Sequence, residues 1–163
     1  RLDDAAWKNA LVFSDFKTGK PDFGKTPTER TEALFAYDSK NLYFAFRCLD
    51  AEPDKIKTSV ARRDSMFGDD WVGLSLDSQG LRQCSYDLFV NPNGIQGDIY
   101  ESTTGGEDSA TDFVWESAGR TCFAYRFTET LAASIPTAGV KSGTYVVQID
   151  TRAATFAQKL LVR

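Results

Sequence analysis

The fold is decided by residues 62–98, which read RRDSMFGDDWVGLSLD at 62–77 and CSYDLFVNPNGIQGD at 84–98. Residues 71–77 alternate apolar with small or polar side chains. Tyr86, Leu88 and Val90 also alternate with their neighbours, although Phe89 adds an apolar side chain on the other face. A period of two is typical of half-buried strands. Polar residues around Gly80 separate the two segments, so the pattern predicts a β-hairpin.

Charged and amide side chains flank this predicted hairpin at one end. Asp69 and Asp70 precede its first strand, and Asn91 and Asn93 follow its second strand. Antiparallel strands place the start of one beside the end of the other. The four side chains are therefore predicted to lie close together, and this polar end is the candidate site.

The rest of the chain also reads as short strands separated by turn residues. Residues 32–37 and 42–49 form a second predicted hairpin around the turn at 38–41. Further strands are predicted at 113–116, 122–127, 131–135, 144–149 and 156–162. About nine to eleven such strands, with no long amphipathic helix, indicate an all-β protein with a single antiparallel β-sandwich or barrel.

Composition limits the possible functions. The chain has 163 residues, enough for one domain, and a net charge of −4 with no dominant basic patch, which argues against nucleic acid as a partner. It contains no histidine, which removes Ser-His and Cys-His dyads and imidazole metal ligands. Catalysis would have to depend on carboxylates, Lys, Tyr or Cys. We therefore predict that the domain is not an enzyme.

The sequence also bears on export and cysteine chemistry. It contains no apolar run of about 18 residues, so it predicts no membrane span. The chain begins at Arg1, which we interpret as a processed or excised piece of a larger protein. Cys48, Cys84 and Cys122 are widely spaced and odd in number. They are either buried thiols or one disulfide with a spare thiol.

Several ordered motifs resemble family-9 carbohydrate-binding modules. They are LDDAAW at 2–7, LYFAFRCLD at 42–50, RRD at 62–64, DDWV at 69–72, NPNG at 91–94 and VWES at 114–117. The pattern is closest to the version that precedes an outer-membrane β-barrel in bacterial proteins of unassigned function, and it covers about residues 2–120. The resemblance implies a jelly-roll-like sandwich of two antiparallel sheets. It also implies a bacterial protein that is secreted, at the cell surface or periplasmic.

The C-terminal part departs from that family. Residues 139–163 are similar to the tail of a secretion-sorting domain, and they can equally be the last two strands of the sandwich. Either interpretation keeps residues 1–163 as one domain and favours an exported protein.

Carbohydrate recognition requires an aromatic surface for the sugar ring and planar polar groups for its hydroxyls. Trp71 and Trp115 are the predicted aromatic platforms. The hydroxyl contacts are predicted to come from Arg62, Arg63, Asp64, Asn91 and Asn93. The alternative is structural: the tryptophans belong to the core, and the polar residues form ion pairs and turns.

The resemblance also implies a structural calcium ion, since many such domains bind one. Asp69 and Asp70 are its predicted ligands, because calcium prefers carboxylate oxygens. The predicted function is non-catalytic binding of an oligo- or polysaccharide. The alternative is an accessory or interaction domain that acts independently of sugar.

Overall fold

Two antiparallel β-sheets pack face to face in the computed structural model of the protein, which describes residues 5–119 and strands at 127–136, 143–151 and 154–162. The strands are β1 (Leu11–Phe13), β2 (Lys17–Thr18), β3 (Thr31–Tyr37), β4 (Asn41–Leu49), β5 (Val72–Asp77), β6 (Cys84–Val90), β7 (Gln96–Ser102), β8 (Gly106–Asp108), β9 (Glu116–Gly119), β10 (Phe127–Pro136), β11 (Gly143–Thr151) and β12 (Ala154–Val162). Short 3-10 helices occupy Ala5–Asn9 and Pro53–Lys55. The predicted antiparallel β-sandwich is confirmed.

The described strands divide into two sheets. One has five strands in the order β1-β3-β4-β10-β9, and the other has seven in the order β2-β12-β11-β5-β6-β7-β8. Both predicted hairpins are confirmed, because β3 pairs with β4 and β5 pairs with β6. The backbone of β11 pairs with β5 and β12, which places residues 143–162 in the seven-stranded sheet. Their interpretation as a secretion-sorting tail stays a prediction.

The core lies between the sheets and follows the alternation of their strands. Phe44 and Phe46 of β4 meet Leu74 of β5 and Leu88 of β6 in one cluster, and each of the four is at most 5% exposed. Burying a side chain of this size stabilises the fold by about 1.5–3 kcal/mol. The same alternation assigns one face of β5, β6 and β7 to the core and the other to the outside.

One predicted strand is wrong. Residues 113–115 are not a strand, and the strand in this region is β9, which pairs with β10. The carbonyl of Phe113 accepts a hydrogen bond from Arg63, and that of Trp115 accepts one from the Gln96 side chain. Side chains therefore form the hydrogen bonds to these two carbonyls that a neighbouring strand would otherwise form. Residues 120–126, which contain most of the partner strand predicted at 122–127, lie outside the described residues.

Candidate functional site

The end of the β5–β6 hairpin brings distant polar residues together, as the antiparallel pairing predicts. The Asn91 amide nitrogen donates to Asp69 Oδ2 over 2.8 Å, and it also lies 3.1 Å from the Ser59 carbonyl oxygen. Asp69 Oδ2 accepts two further hydrogen bonds, from the backbone N–H and hydroxyl of Ser59. The hydrogen bonds among Ser59, Asp69 and Asn91 hold residues 57–70 against the β5–β6 hairpin.

Asn91 organises the following turn and is inaccessible to a ligand. Its Oδ1 accepts hydrogen bonds from the backbone N–H groups of Asn93 and Ile95, and the residue has no solvent exposure. Asn93 lies on the surface of the same turn. Of the two predicted amide contacts, only Asn93 is therefore placed where a ligand could reach it.

The predicted calcium ligands already accept hydrogen bonds from the protein. Asp69 Oδ2 accepts the three described above, and Asp70 Oδ2 accepts one from the backbone N–H of Lys57. N–H and O–H donors occupy the positions that a cation would need around these oxygens. The arrangement fits a hydrogen-bonded pair of carboxylates better than a calcium cage, and calcium binding at Asp69 and Asp70 stays a prediction.

Arg63 lies at the centre of a second network. Its guanidinium pairs with both carboxylate oxygens of Asp98 at 2.7–2.9 Å, contacts Asp112 Oδ1 at 3.0 Å and donates to Gln96 Oε1 at 2.7 Å. Asp98 has no solvent exposure. The hydrogen bond to Asp98 raises the pKa of Arg63, and burial opposes this shift. The carboxylates of Asp64, Asp98 and Asp112 come within 4.8 Å of one another, with Arg63 as their counter-charge.

Asp64 closes the part of β7 that its neighbour β8 leaves uncovered. Its backbone N–H donates to the carbonyl of Gln96, and its carboxylate accepts the backbone N–H of Asp98. Asp64 has a φ of 62°, the left-handed conformation that aspartate tolerates better than most residues. Asp64 is a predicted sugar contact, and the structure gives it a structural role as well. Its backbone N–H and its carboxylate supply the hydrogen-bond donor and acceptor that a neighbouring strand would offer.

Trp71 belongs to an aromatic cluster on the outer face of the seven-stranded sheet. The rings of Phe67, Trp71 and Phe89 meet edge to face, with centroids 5.1–6.4 Å apart. Phe67 packs over Gly97, where an added Cβ would lie 2.9 Å from the ring. Trp71 is half-buried and Phe67 is 38% exposed. This cluster is the accessible aromatic surface near the hairpin end.

Trp115 and Arg62 lie in contrasting environments. Trp115 is 7% exposed and packs in the core between the sheets, so it offers little surface to a sugar ring. Its indole N–H has no hydrogen-bond partner among the described residues. Arg62 is exposed and lies outside the ion pair that its neighbour Arg63 forms with the buried Asp98.

An open groove with a volume of about 570 Å³ runs beside the Arg63 network. It is lined by Ala61, Arg63, Gly94, Ile95, Gln96, Glu116 and Ser117. Of these residues only Arg63 is a predicted ligand contact, although Gly94, Glu116 and Ser117 lie within the NPNG and VWES motifs. For the other lining residues the sequence offers only an indirect signal. Gly119 packs so closely against Pro92 and Gly94 that only a glycine fits, and this contact brings β9 to the groove.

The Asp69 network predicts a specific acid sensitivity. Burial acts to raise the pKa of Asp69, but the hydrogen bonds from Ser59 and Asn91 outweigh it and hold the pKa below 3.8. A carboxyl with a lowered folded-state pKa stabilises the fold above its unfolded pKa, and this stabilisation is lost as the pH falls through the folded value. We expect carboxyl NMR to show that the pKa of Asp69 lies below the ordinary value of an aspartate, and Ser59→Ala to raise that pKa. An Asp69 titration unaffected by Ser59→Ala would contradict this.

Among the residues that the structure describes, no helix has the length and apolar character needed to cross a bilayer. No protein-family model and no curated protein sequence matches the chain.

Solved structures with the same architecture include two relevant proteins. One, from Bacteroides uniformis and provisionally assigned as carbohydrate-binding, matches with a TM-score of 0.67 and 9% identity over 94% of this chain and 79% of that one. The other is a family-9 carbohydrate-binding module from Caldicellulosiruptor kristjanssonii in complex with cellotriose. It matches with a TM-score of 0.55 and 15% identity over 94% of this chain and 75% of that one. The chain therefore has the fold of a family-9 carbohydrate-binding module.

Proposed function

We propose that this domain binds an oligo- or polysaccharide in the groove beside Arg63, without catalysis. The observation that carries the proposal is the composition of the groove: a guanidinium, a primary amide, a carboxylate and a hydroxyl line one open channel. They belong to Arg63, Gln96, Glu116 and Ser117. Planar polar groups of this kind match the paired hydroxyls of a sugar, and the fold shared with a family-9 module in complex with cellotriose supports the same class of ligand.

The groove is held in position before any ligand arrives. Arg63 donates to Asp98, Gln96 and the Phe113 carbonyl, and Gln96 donates to the Trp115 carbonyl. In these bonds Arg63 uses four of its five N–H groups, which leaves one Nη1 hydrogen without a described acceptor. Fixing polar groups in advance lowers the entropic cost of binding. A sugar hydroxyl is an acceptor of suitable size for the remaining hydrogen.

The apolar contacts in this groove are modest. Ala61 and Ile95 line it, whereas the aromatic cluster of Phe67, Trp71 and Phe89 lies on the outer face of the sheet. Trp71 therefore remains a second candidate surface for a sugar ring, separate from the groove. Because none of the described residues that line the groove is aromatic, we expect micromolar to millimolar affinity rather than tight binding.

The absence of catalysis is part of the proposal. The closely spaced carboxylates of Asp98 and Asp112 both contact Arg63, so they belong to an ion-pair network and do not form an acid–base pair that flanks a bound glycosidic bond. We also propose that the domain is part of an exported bacterial protein and joined to a larger chain, as the resemblance in its motifs implies.

A binding experiment separates the two candidate surfaces. Isothermal titration with cellotetraose and a panel of other oligosaccharides is expected to detect binding that Glu116→Ala and Ile95→Ala each weaken by about threefold or more, the loss of one typical contact. Trp71→Ala is the matched test of the outer face and is expected to leave the affinity unchanged. Circular dichroism checks that each variant is folded.

Two results would count against this assignment. Weaker binding in Trp71→Ala alone would move the sugar to the aromatic cluster. No binding to any glycan would remove carbohydrate recognition from the domain.

A second candidate function rests on a different surface. Leu11 and Val12 of β1 are 52% and 56% exposed, and β1 forms an edge of the five-stranded sheet. Exposed apolar side chains on an edge strand favour pairing or packing with another polypeptide. The corresponding function is an accessory domain that contacts a neighbouring part of a larger protein. A negative glycan titration would favour this candidate.

A further inference from the structure

We infer that the groove beside Arg63 selects sugars by charge: it accepts neutral and amino sugars and rejects uronic acids, and Glu116 is a specificity-determining residue. This inference rests on the proposed function and concerns the same groove. It follows from the charges in and around the groove. Some of them are compensated by ion pairs within the protein, and others are not.

Among the described residues that line the groove, the one guanidinium is neutralised within the protein. Arg63 forms a two-point ion pair with Asp98, a carboxylate with no solvent exposure, and a further contact with Asp112. An incoming carboxylate would have to compete with Asp98, which is fully buried and already bound to the guanidinium at two points. Among the described residues, Arg63 is the only cationic side chain that lines this groove, because Arg62 lies outside it.

The remaining charges among the described residues in and around the groove are negative. Asp64 and Asp112 lie within 4.8 Å of the buried Asp98 carboxylate, so three carboxylates surround one guanidinium. Glu116 lines the groove and is exposed, and no ion pair joins it to a described residue. A uronate would meet this excess negative charge at short range, whereas a neutral hydroxyl can use the remaining Arg63 N–H, and a protonated amine can pair with Glu116.

The test uses three β-1,4-linked tetramers that differ mainly in charge: cellotetraose, its 2-amino analogue built from glucosamine, and its 6-carboxylate analogue, cellouronic acid. Isothermal titration of the whole domain is expected to give an affinity order of amino above neutral above uronate. Added salt should compress the differences, because it screens charges at an exposed site.

Glu116→Gln is expected to reduce the preference for the amino sugar over the uronate by about two- to fivefold, the range of an exposed ion pair. Glu107→Gln changes the net charge equally and is the matched control. Glu107 pairs with Glu101, five residues along β7 from Gln96, roughly 16 Å at the usual rise of a strand. This control should leave the order and the ratios unchanged.

The outcomes distinguish the inference from the proposed function. Uronate binding equal to or tighter than neutral binding would overturn charge selection while carbohydrate binding stands. An amino-to-uronate ratio that is the same in Glu116→Gln and the parent protein would remove Glu116 from this role. No binding of any tetramer or of the wider glycan panel would refute the proposed function itself, and the inference with it.

Discussion

Replacing Arg63 with methionine is expected to lower the free energy of unfolding by about 3–5 kcal/mol, the usual cost of removing the partner of a buried charge. Asp98 has no solvent exposure, and Arg63 supplies contacts to both of its oxygens. Without the guanidinium, the Asp98 carboxylate would remain buried. Among the described residues, its remaining hydrogen-bond donor would be the backbone N–H of Phe113. Urea denaturation monitored by tryptophan fluorescence gives the change.

Arg62→Met is the matched control, since Arg62 is the exposed neighbour and was predicted from the sequence to have the same role. We expect it to change the stability by no more than about 0.5 kcal/mol. The double variant Arg63→Met with Asp98→Leu should recover part of the loss, because the buried charge is gone, although the Phe113 N–H then loses its acceptor. Equal effects of the two arginine substitutions would show that the pair with Asp98 does not stabilise the fold.

Asn91→Ala is expected to destabilise the domain by about 2–3 kcal/mol. The substitution removes the acceptor for the N–H groups of Asn93 and Ile95 and the donor to Asp69. Buried polar groups left without partners cost about 1–3 kcal/mol each, and a bridging water can offset part of that cost. The measurement is again the urea midpoint, with an unchanged slope as evidence that the transition remains two-state.

Asn93→Ala provides the comparison within the same turn. Its side chain is exposed and makes no hydrogen bond with a described residue, so we expect a change below about 0.5 kcal/mol. The two asparagines were predicted from the sequence as equivalent ligand contacts. Equal destabilisation by the two substitutions would mean that Asn91 does not organise the turn as the structure indicates.

The sequence predicts the architecture well because the signals are local. Alternation in residues 72–77 and 84–90 and the turn at Gly80 each depend on a few neighbouring residues, and all three appear in the structure. The proximity of Asp69 and Asn91 also follows, since antiparallel pairing fixes which strand ends meet. Local patterns therefore predict both the hairpin and the meeting of its polar flanks.

The sequence cannot tell which polar residues face water. Arg62 and Arg63 are the same residue type side by side, yet only Arg63 finds Asp98, which lies 35 residues further along the chain. Asp98 follows a glycine and precedes an isoleucine, and nothing in that context indicates complete burial. The groove combines residues of β7 and β9, which belong to different sheets, so their meeting depends on how the sheets pack.

The closure of β7 by Asp64 has a consequence for the behaviour of the protein at high concentration. An unpaired strand edge invites another chain to add a strand, which is one route to intermolecular aggregation. Here two ladder positions are occupied by the backbone and carboxylate of one residue in a left-handed conformation. Asp64 thus blocks strand addition along the part of β7 that β8 does not cover, without the length of chain that a longer strand would need.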